Sequence, residues 1–327
     1  MKLVRRQFLC LAGASVVAPA LSSAAFGQAY PTHPVRILVG FPAGSSADIL
    51  ARLMGQGLSE RLHQPFIIEN RPGAGSNVAT EAVVRASADG YTLLFVTSPN
   101  AVNATLYQNL NFNFIRDITP VSGVGRGPFV LVVNRSFPAT SLADFIAYAK
   151  ANPGKINIGS SGNGTTSHVA GELMKMQGGI DLVHVPYRGE PPALIDLLAG
   201  QVQALFISLP ASIEHIRAGQ VRALAVTTPM RVEALPDVPS LAEFMPGYDA
   251  SAWQGIGAPK GTPAEVVNKL DKAIGDILAD SKIKTRFGEL GVTPLALSAP
   301  EFGDLIARET DKWSKVVRTA NLKADGA

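Results

Sequence analysis

The sequence predicts an α/β protein. Three observations predict it: short β-branched runs recur along the chain, helical patterns lie between most of them, and 327 residues, 46% hydrophobic and 17% charged, suffice for two domains. Strand and helix in alternation imply parallel sheets covered on both faces.

Taken in order, "VRILVGF" (35–41) reads as the first strand and "ADILARLMGQGLSERL" as the amphipathic helix after it. Strands follow at "PFIIEN" (65–70), "YTLLFVT" (91–97), "FVLVVN" (129–134), "KINIGS" (155–160), "LVHVPY" (182–187), "ALFIS" (204–208) and "ALAVTT" (223–228). "SLADFIAYAKA" is another amphipathic helix between two of them. The tail reads as packing helices. "GTPAEVVNKLDKAIGDILAD" opens with Thr262, Pro263 and Glu265, a capping box with proline at the first helical position, and repeats Val266, Leu270, Ile274 and Ile277 on one face. "SAPEFGDLIARETDKWSKVV" repeats the arrangement with Ser298 and Glu301. The chain has no internal repeat and no low-complexity linker.

Residues 1–29 read as a secretory signal peptide: a basic start at Lys2, Arg5 and Arg6, an apolar run, and small residues at Gly27 and Ala29. Mature protein then begins at Tyr30. "RRQFL" resembles a twin-arginine signal, but Val4 stands where Ser or Thr is preferred, so the general secretory route stays open. Cys10 precedes the end of the apolar run and follows Leu9, which is no setting for a lipid anchor. As the chain's single cysteine, it leaves the mature protein without a thiol, excluding cysteine nucleophiles, zinc-cysteine sites and disulfides. Removing the leader's three basic residues takes Lys and Arg from 29 to 26, against 26 Asp and Glu. A mature chain of zero formal charge without basic runs gives no support to a nucleic-acid partner. No later apolar run reaches the roughly 18 residues of a membrane span.

Three loops fall at the carboxyl ends of strands, where open parallel sheets bind ligands: "FPAGSSAD" (41–48), "TSPN" (97–100) and "SSGNGTTSH" (160–168). Glycine lets a backbone N–H approach closely. Free N–H groups at a helix start, joined by Ser and Thr hydroxyls, hold an anion without formal positive charge. None of the loops carries Lys or Arg, which favours a carboxylate over a polyphosphate. Each such residue is equally an ordinary N-cap, and it is the three loops together that point to a site.

Enzymatic readings fare worse. The G-x-S-x-G elbow is absent, and Ser161 shares one short loop with His168, whereas a triad draws its base from a separate segment. "RPGAGSN" (71–77) lacks a Gly-Lys-Ser/Thr ending and places Val78 where a dinucleotide fingerprint has its third glycine, so it reads as a tight turn. His33, His63, His168, His184 and His215 show no metal-ligand spacing. His184, between Val183 and Val185, reads as a hydrogen-bonded structural histidine. No catalytic residue, metal or cofactor is predicted.

"YPTHPVRILVGFPAGSSADILARL", "SSGNGTTSHVAGELMK", "HVPYRGEPPALIDLLAGQVQALF", "IRAGQVRALAVTTPMRVEALPDVPSLAE" and "APKGTPAEVV" resemble the Bug family, the periplasmic solute-binding components of tripartite tricarboxylate transporters. The resemblance is colinear over essentially the whole mature chain. It implies a type II two-lobed periplasmic binding fold, each lobe a mainly parallel sheet flanked by helices, closing on a small di- or tricarboxylate or aromatic acid. Lobe one would comprise 30–127 plus 252–327 and lobe two 128–251, with crossings at "VGRGPFVLVV" and "YDASAWQGIGAP".

Carried over by motif, Ala43, Gly44 and Ser45 would make backbone or water-mediated contacts from lobe one, and Asn163, Gly164, Thr165, Thr166 and Ser167 direct contacts from lobe two. Asp48 would orient the first loop, and Thr97 and Ser98 line the floor. Phe41, Ser161, His168, Tyr187 and Ser208 complete the implied contact set. Ser45 replaces a glycine common in that family, and Glu190 stands in "YRGEPP" where a small residue is frequent. "FISLP" lacks an acidic or amide pair, leaving Ile207 and Ser208 at the ligand's far end, which admits a less polar distal group. The implied protein is a periplasmic monomer without cofactor that delivers its ligand to membrane subunits. The alternatives are a sensor module docking a receptor kinase and an exported hydrolase.

Overall fold

The computed structural model describes residues 30–324; the leader read at 1–29 lies outside the described residues. The chain begins with β1 (Val35–Val39), α1 (Ser46–Leu62), β2 (Phe66–Asn70), α2 (Asn77–Val84), β3 (Thr92–Thr97), α3 (Ser98–Leu106), α4 (Phe114–Asp117) and β4 (Ile118–Gly127). It continues with β5 (Phe129–Asn134), α5 (Leu142–Ala151), β6 (Asn157–Ser160), α6 (Thr166–Gly178), β7 (Val183–Pro186), α7 (Glu190–Leu198), β8 (Ala204–Ser208), α8 (Leu209–Arg217) and β9 (Val221–Val226). It ends with β10 (Ala252–Pro259), α9 (Ala264–Ala279), α10 (Ser281–Glu289), β11 (Thr293–Pro294) and α11 (Ala299–Thr319). All the strands expected from the sequence are present, each within two residues of its expected bounds.

Two sheets form two lobes. In the six-stranded sheet, ordered β11-β4-β10-β3-β1-β2, β1 pairs parallel with β2 and β3, and β10 runs antiparallel between β3 and β4. In the five-stranded sheet, ordered β7-β6-β8-β5-β9, β6 pairs parallel with β7 and β8, and β5 runs antiparallel between β8 and β9. Most strands of each sheet share a direction, yet both sheets are mixed. The inserted antiparallel strand is in each case the one by which the chain arrives from the other sheet: β5 directly after β4, β10 after β9.

Period-two side-chain alternation separates the core faces. Ile37 and Val39 pack with Leu50 and Met54 of α1 and Leu270 and Ile274 of α9, while Leu38 turns to the cluster of Ala79, Val96 and Phe302. In β5, Val130 and Val132 face Leu194 and Leu197 of α7, and Leu131 and Val133 face Phe145 and Val169. This last cluster also takes in Val102 and Leu106 of α3 and Trp313 and Val317 of α11, so apolar packing is continuous from one lobe to the other.

The sequence reading lists no strand at β4 or β10, where the resemblance implies crossings; both are rich in glycine. That glycine is forced by packing: a methyl group at Gly255 would lie 2.2 Å from Phe302 Cζ, and one at Gly123 would lie 2.4 Å from the Leu295 carbonyl. The capping box expected at Thr262 and Glu265 does not form. Pro263 occupies the cap position of α9, and the Thr262 hydroxyl donates instead to the Pro259 carbonyl at 2.8 Å. The box at Ser298 and Glu301 does form, with the Glu301 carboxylate accepting from Ser298 N at 2.9 Å. Among the described residues, no helix is long and apolar enough to cross a membrane.

Candidate functional site

The loop after β1 is shaped by its own polar groups. Ser45 caps α1, its hydroxyl accepting from Asp48 N and donating to the Pro42 carbonyl at 2.7 Å. Gly44 takes φ +80°, a conformation that favours glycine. Asp48 accepts from Gly44 N at 3.0 Å, Arg52 Nε at 3.0 Å and Asn70 Nδ2 at 2.9 Å. Burial pushes its carboxyl up, but those bonds together outweigh burial and hold it below the usual carboxylate range. Asp48 therefore orients the loop. After β3, Thr97 N donates to Asn100 Oδ1 at 2.9 Å, closing a capping box that starts α3.

The loop from Ser160 to His168 turns at Gly162 (φ +123°) and Gly164 (φ +73°). Its hydroxyls bond to one another: Ser167 Oγ accepts from Ser161 N at 2.9 Å and shares hydrogen bonds with Ser161 Oγ at 2.9 Å and Thr165 Oγ1 at 3.0 Å. Thr165 Oγ1 is also 2.6 Å from the Gly162 carbonyl. Gly164 N donates to His168 Nδ1 at 3.2 Å, which requires a neutral ring carrying its proton on Nε2. Burial, reinforced by Lys175, lowers the His168 pKa to about 4. The ring stacks on His184 at 4.1 Å, and His184 Nε2 lies 2.6 Å from Ser160 Oγ, the structural role expected for His184.

These loops meet across the lobes. Ser98 Oγ and Thr166 Oγ1 share a hydrogen bond of 2.7 Å, both residues being buried. Glu190 is also buried, and its two carboxylate oxygens accept from Ser46 N at 3.0 Å and Ser208 N at 2.8 Å.

Between the lobes lies a small cavity of about 40 Å³. Of the predicted residues, Phe41, Ser45, Thr97, Ser98, Ser161, Thr165 and Thr166 line it. Asn163 and Tyr187 line an adjoining crevice of about 630 Å³ together with Phe41 and Ser161, and the 72–75 turn borders the same crevice. Tyr187 donates to Asp196 at 2.8 Å; burial first, and that bond second, push its hydroxyl up to about 12. Ala43, Gly44, Asp48, Gly164, Ser167, His168 and Ser208 are not among the residues that line the cavity.

Sequence reasoning did not place Ser46, Phe129, Glu190 and Gln254 in the cavity wall, where all four stand. Ser46 adjoins Ser45 and Glu190 is conspicuous in its motif, but nothing local marks Phe129 or Gln254. Among the described residues, the wall carries no Lys, Arg or His, so none of their imidazoles faces its hydroxyls from within the cavity. Among the described residues, no group of three or more His, Cys, Asp and Glu could hold a metal ion. Beside the Glu190 carboxylate, the wall offers hydroxyls and helix N-termini, donors suited to an anion.

Residues 50–322 match the family described as the tripartite tricarboxylate transporter family receptor. Protein BugT of Bordetella pertussis is 35% identical over 320 residues, 97% of this chain and 98% of its own. The structure of Rpa4515 from R. palustris with adipate is 37% identical with a TM-score of 0.88, over 90% of this chain and 99% of that one. MatC (Rpa3494) from Rhodopseudomonas palustris with bound malate is 31% identical with a TM-score of 0.83, over 88% and 100%. With the match running from Leu50 to Leu322 and the relatives aligned nearly end to end, the chain belongs to the receptor family of the tripartite tricarboxylate transporters.

Proposed function

We propose that the protein is a periplasmic receptor, and not an enzyme, that captures a small carboxylate by closing its lobes and delivers it to the membrane subunits of a tripartite tricarboxylate transporter. Residues 1–29 export it, and it acts as a monomer. The lobes are 30–127 plus 252–327 and 128–251, hinged where β4 passes to β5 and where the chain returns into β10. The observation that carries this reading is a cavity between the lobes lined by hydroxyls at the starts of α1, α3 and α6 and, among the described residues, by no basic side chain. Such a wall suits a carboxylate, each hydrogen bond to the charged group contributing about 1.5–3 kcal/mol. The adipate of Rpa4515 and the malate of MatC support the same chemistry.

Closure is the signal. Ser98 and Thr166 can share their hydrogen bond only when the lobes meet, so a ligand that favours that state shifts the population delivered to the membrane subunits. Calorimetric titration with mono-, di- and tricarboxylates tests the reading. Thr165→Ala combined with Ser167→Ala removes the hydroxyls that fix Ser161 N and the start of α6, and is expected to weaken carboxylate binding at least tenfold while the protein stays folded. Unchanged affinity in that variant would remove the loop from the site.

A further inference from the structure

We propose that Glu190 sets the specificity of the cavity: its carboxylate occupies the place of a second ligand carboxylate, so the ligand is a monocarboxylate whose far end donates a hydrogen bond. The proposal rests on the carboxylate reading above. Among the described residues, Glu190 is the only formally charged one in the cavity wall, and it is just 5% exposed. Its oxygens accept from Ser46 N, at the start of the 17-residue α1, and from Ser208 N, at the start of α8. Backbone donors at helix N-termini are the groups that attract an anion in a protein without basic side chains. Here the chain supplies that anion itself.

A second, independent observation concerns the neighbouring wall. Gln254 of β10, 5% exposed, lines the same cavity, and its Oε1 is buried without a hydrogen-bond partner. A buried acceptor calls for a donor. A carboxylate has about four acceptor positions, and the two amides use two of those on Glu190. Both acceptors therefore favour a hydroxyl or ammonium group on the ligand.

Charge points the same way. A ligand carboxylate at the start of α6 together with Glu190 places two negative charges around a cavity without a wall cation, and a second ligand carboxylate would make three. An ammonium end would instead return the sum to one.

Calorimetric titration of the purified protein tests this with two matched sets, of four and of six carbons. Each set has one carboxylate and a far end that is methyl, hydroxyl, ammonium or a second carboxylate, so that succinate and adipate stand against their amino and hydroxy counterparts. In the native protein the donor-ended acids are expected to bind at least tenfold more tightly than the diacid of the same length. Glu190→Gln keeps an acceptor oxygen but no charge, and is expected to move that ratio at least tenfold towards the diacid. The native ranking decides by itself if the variant does not fold. Equal or tighter diacid binding by the native protein overturns the role of Glu190, as does an unchanged ratio in the variant. If, alongside such a result, Thr165→Ala with Ser167→Ala still weakens diacid binding, the carboxylate reading survives without Glu190. If no acid of either set binds, the role of Glu190 falls, and titration with the wider series of mono-, di- and tricarboxylates decides the carboxylate reading.

Discussion

His168 lies behind the cavity wall and holds the loop that forms it. A protonated ring could not accept the Gly164 N–H, and burial holds its pKa at about 4 against an ordinary 6.5. The sign of the pH dependence follows. Between those values the unfolded chain takes up a proton that the folded chain refuses, so the stability is complete above pH 6.5 and is lost as pH falls towards 4. The loss amounts to roughly 3 kcal/mol. Urea unfolding from pH 7 to pH 4 is expected to show this loss in the native protein and a shallower one in His168→Gln. Equal slopes would assign the acid sensitivity to groups other than His168. At this scale the sequence was partly legible. The hydroxyl-rich loop marked a candidate anion site, but the use of Ser167 and His168 to brace it depends on the turns at Gly162 and Gly164. Glu190 was visible only as an odd residue in its motif. Its partners lie 144 and 18 residues away, beyond the reach of any local pattern.

Elements were legible where side chains alternate and hidden where packing demands their absence. The apolar runs of β1, β3, β5 and β8 read as strands, whereas Gly123, Gly125, Gly255 and Gly257 interrupt β4 and β10 with residues that normally mark turns. These two strands are the widest pairing in the six-stranded sheet, from Ala252 opposite Gly127 to Pro259 opposite Ile118. Their glycines make room for Phe302, Val292 and the backbone at Leu295. Gly255→Ala is therefore expected to lower unfolding free energy by about 2–3 kcal/mol, since its methyl group would meet Phe302 at 2.2 Å and the Ser122 carbonyl at 2.6 Å. Gly275→Ala, inside α9 with nothing within 4 Å, is the contrasting case and should raise it by about 0.5–1 kcal/mol. Denaturant midpoints check both. Similar effects from the two substitutions would mean that backbone freedom, and not close packing, explains the glycine in β10.

At the scale of the whole molecule, alternation of strand and helix announced an α/β chain but not the return of β10 to the first sheet. That return is a long-range pairing, Gln254 opposite Thr97, and it brings Gln254 to the cavity. The lobes also touch at the rim, where Gly189 faces Pro42. Gly189 has φ +124° and ψ 177°, a region essentially confined to glycine, and a methyl group there would lie 2.7 Å from Pro42 Cγ. Gly189→Ala should therefore act in two ways. Backbone strain of order 1–3 kcal/mol lowers the stability of the ligand-free protein, and the added methyl group wedges the rim open. Only the wedge changes the shape of the bound state. Because apparent affinity falls in proportion to the population able to close, the dissociation constant should rise at least about fivefold. Small-angle X-ray scattering separates the two effects: at saturating ligand the variant should keep a larger radius of gyration than the native protein. If both compact to the same radius, strain alone accounts for the variant and the contact between Pro42 and Gly189 does not limit closure.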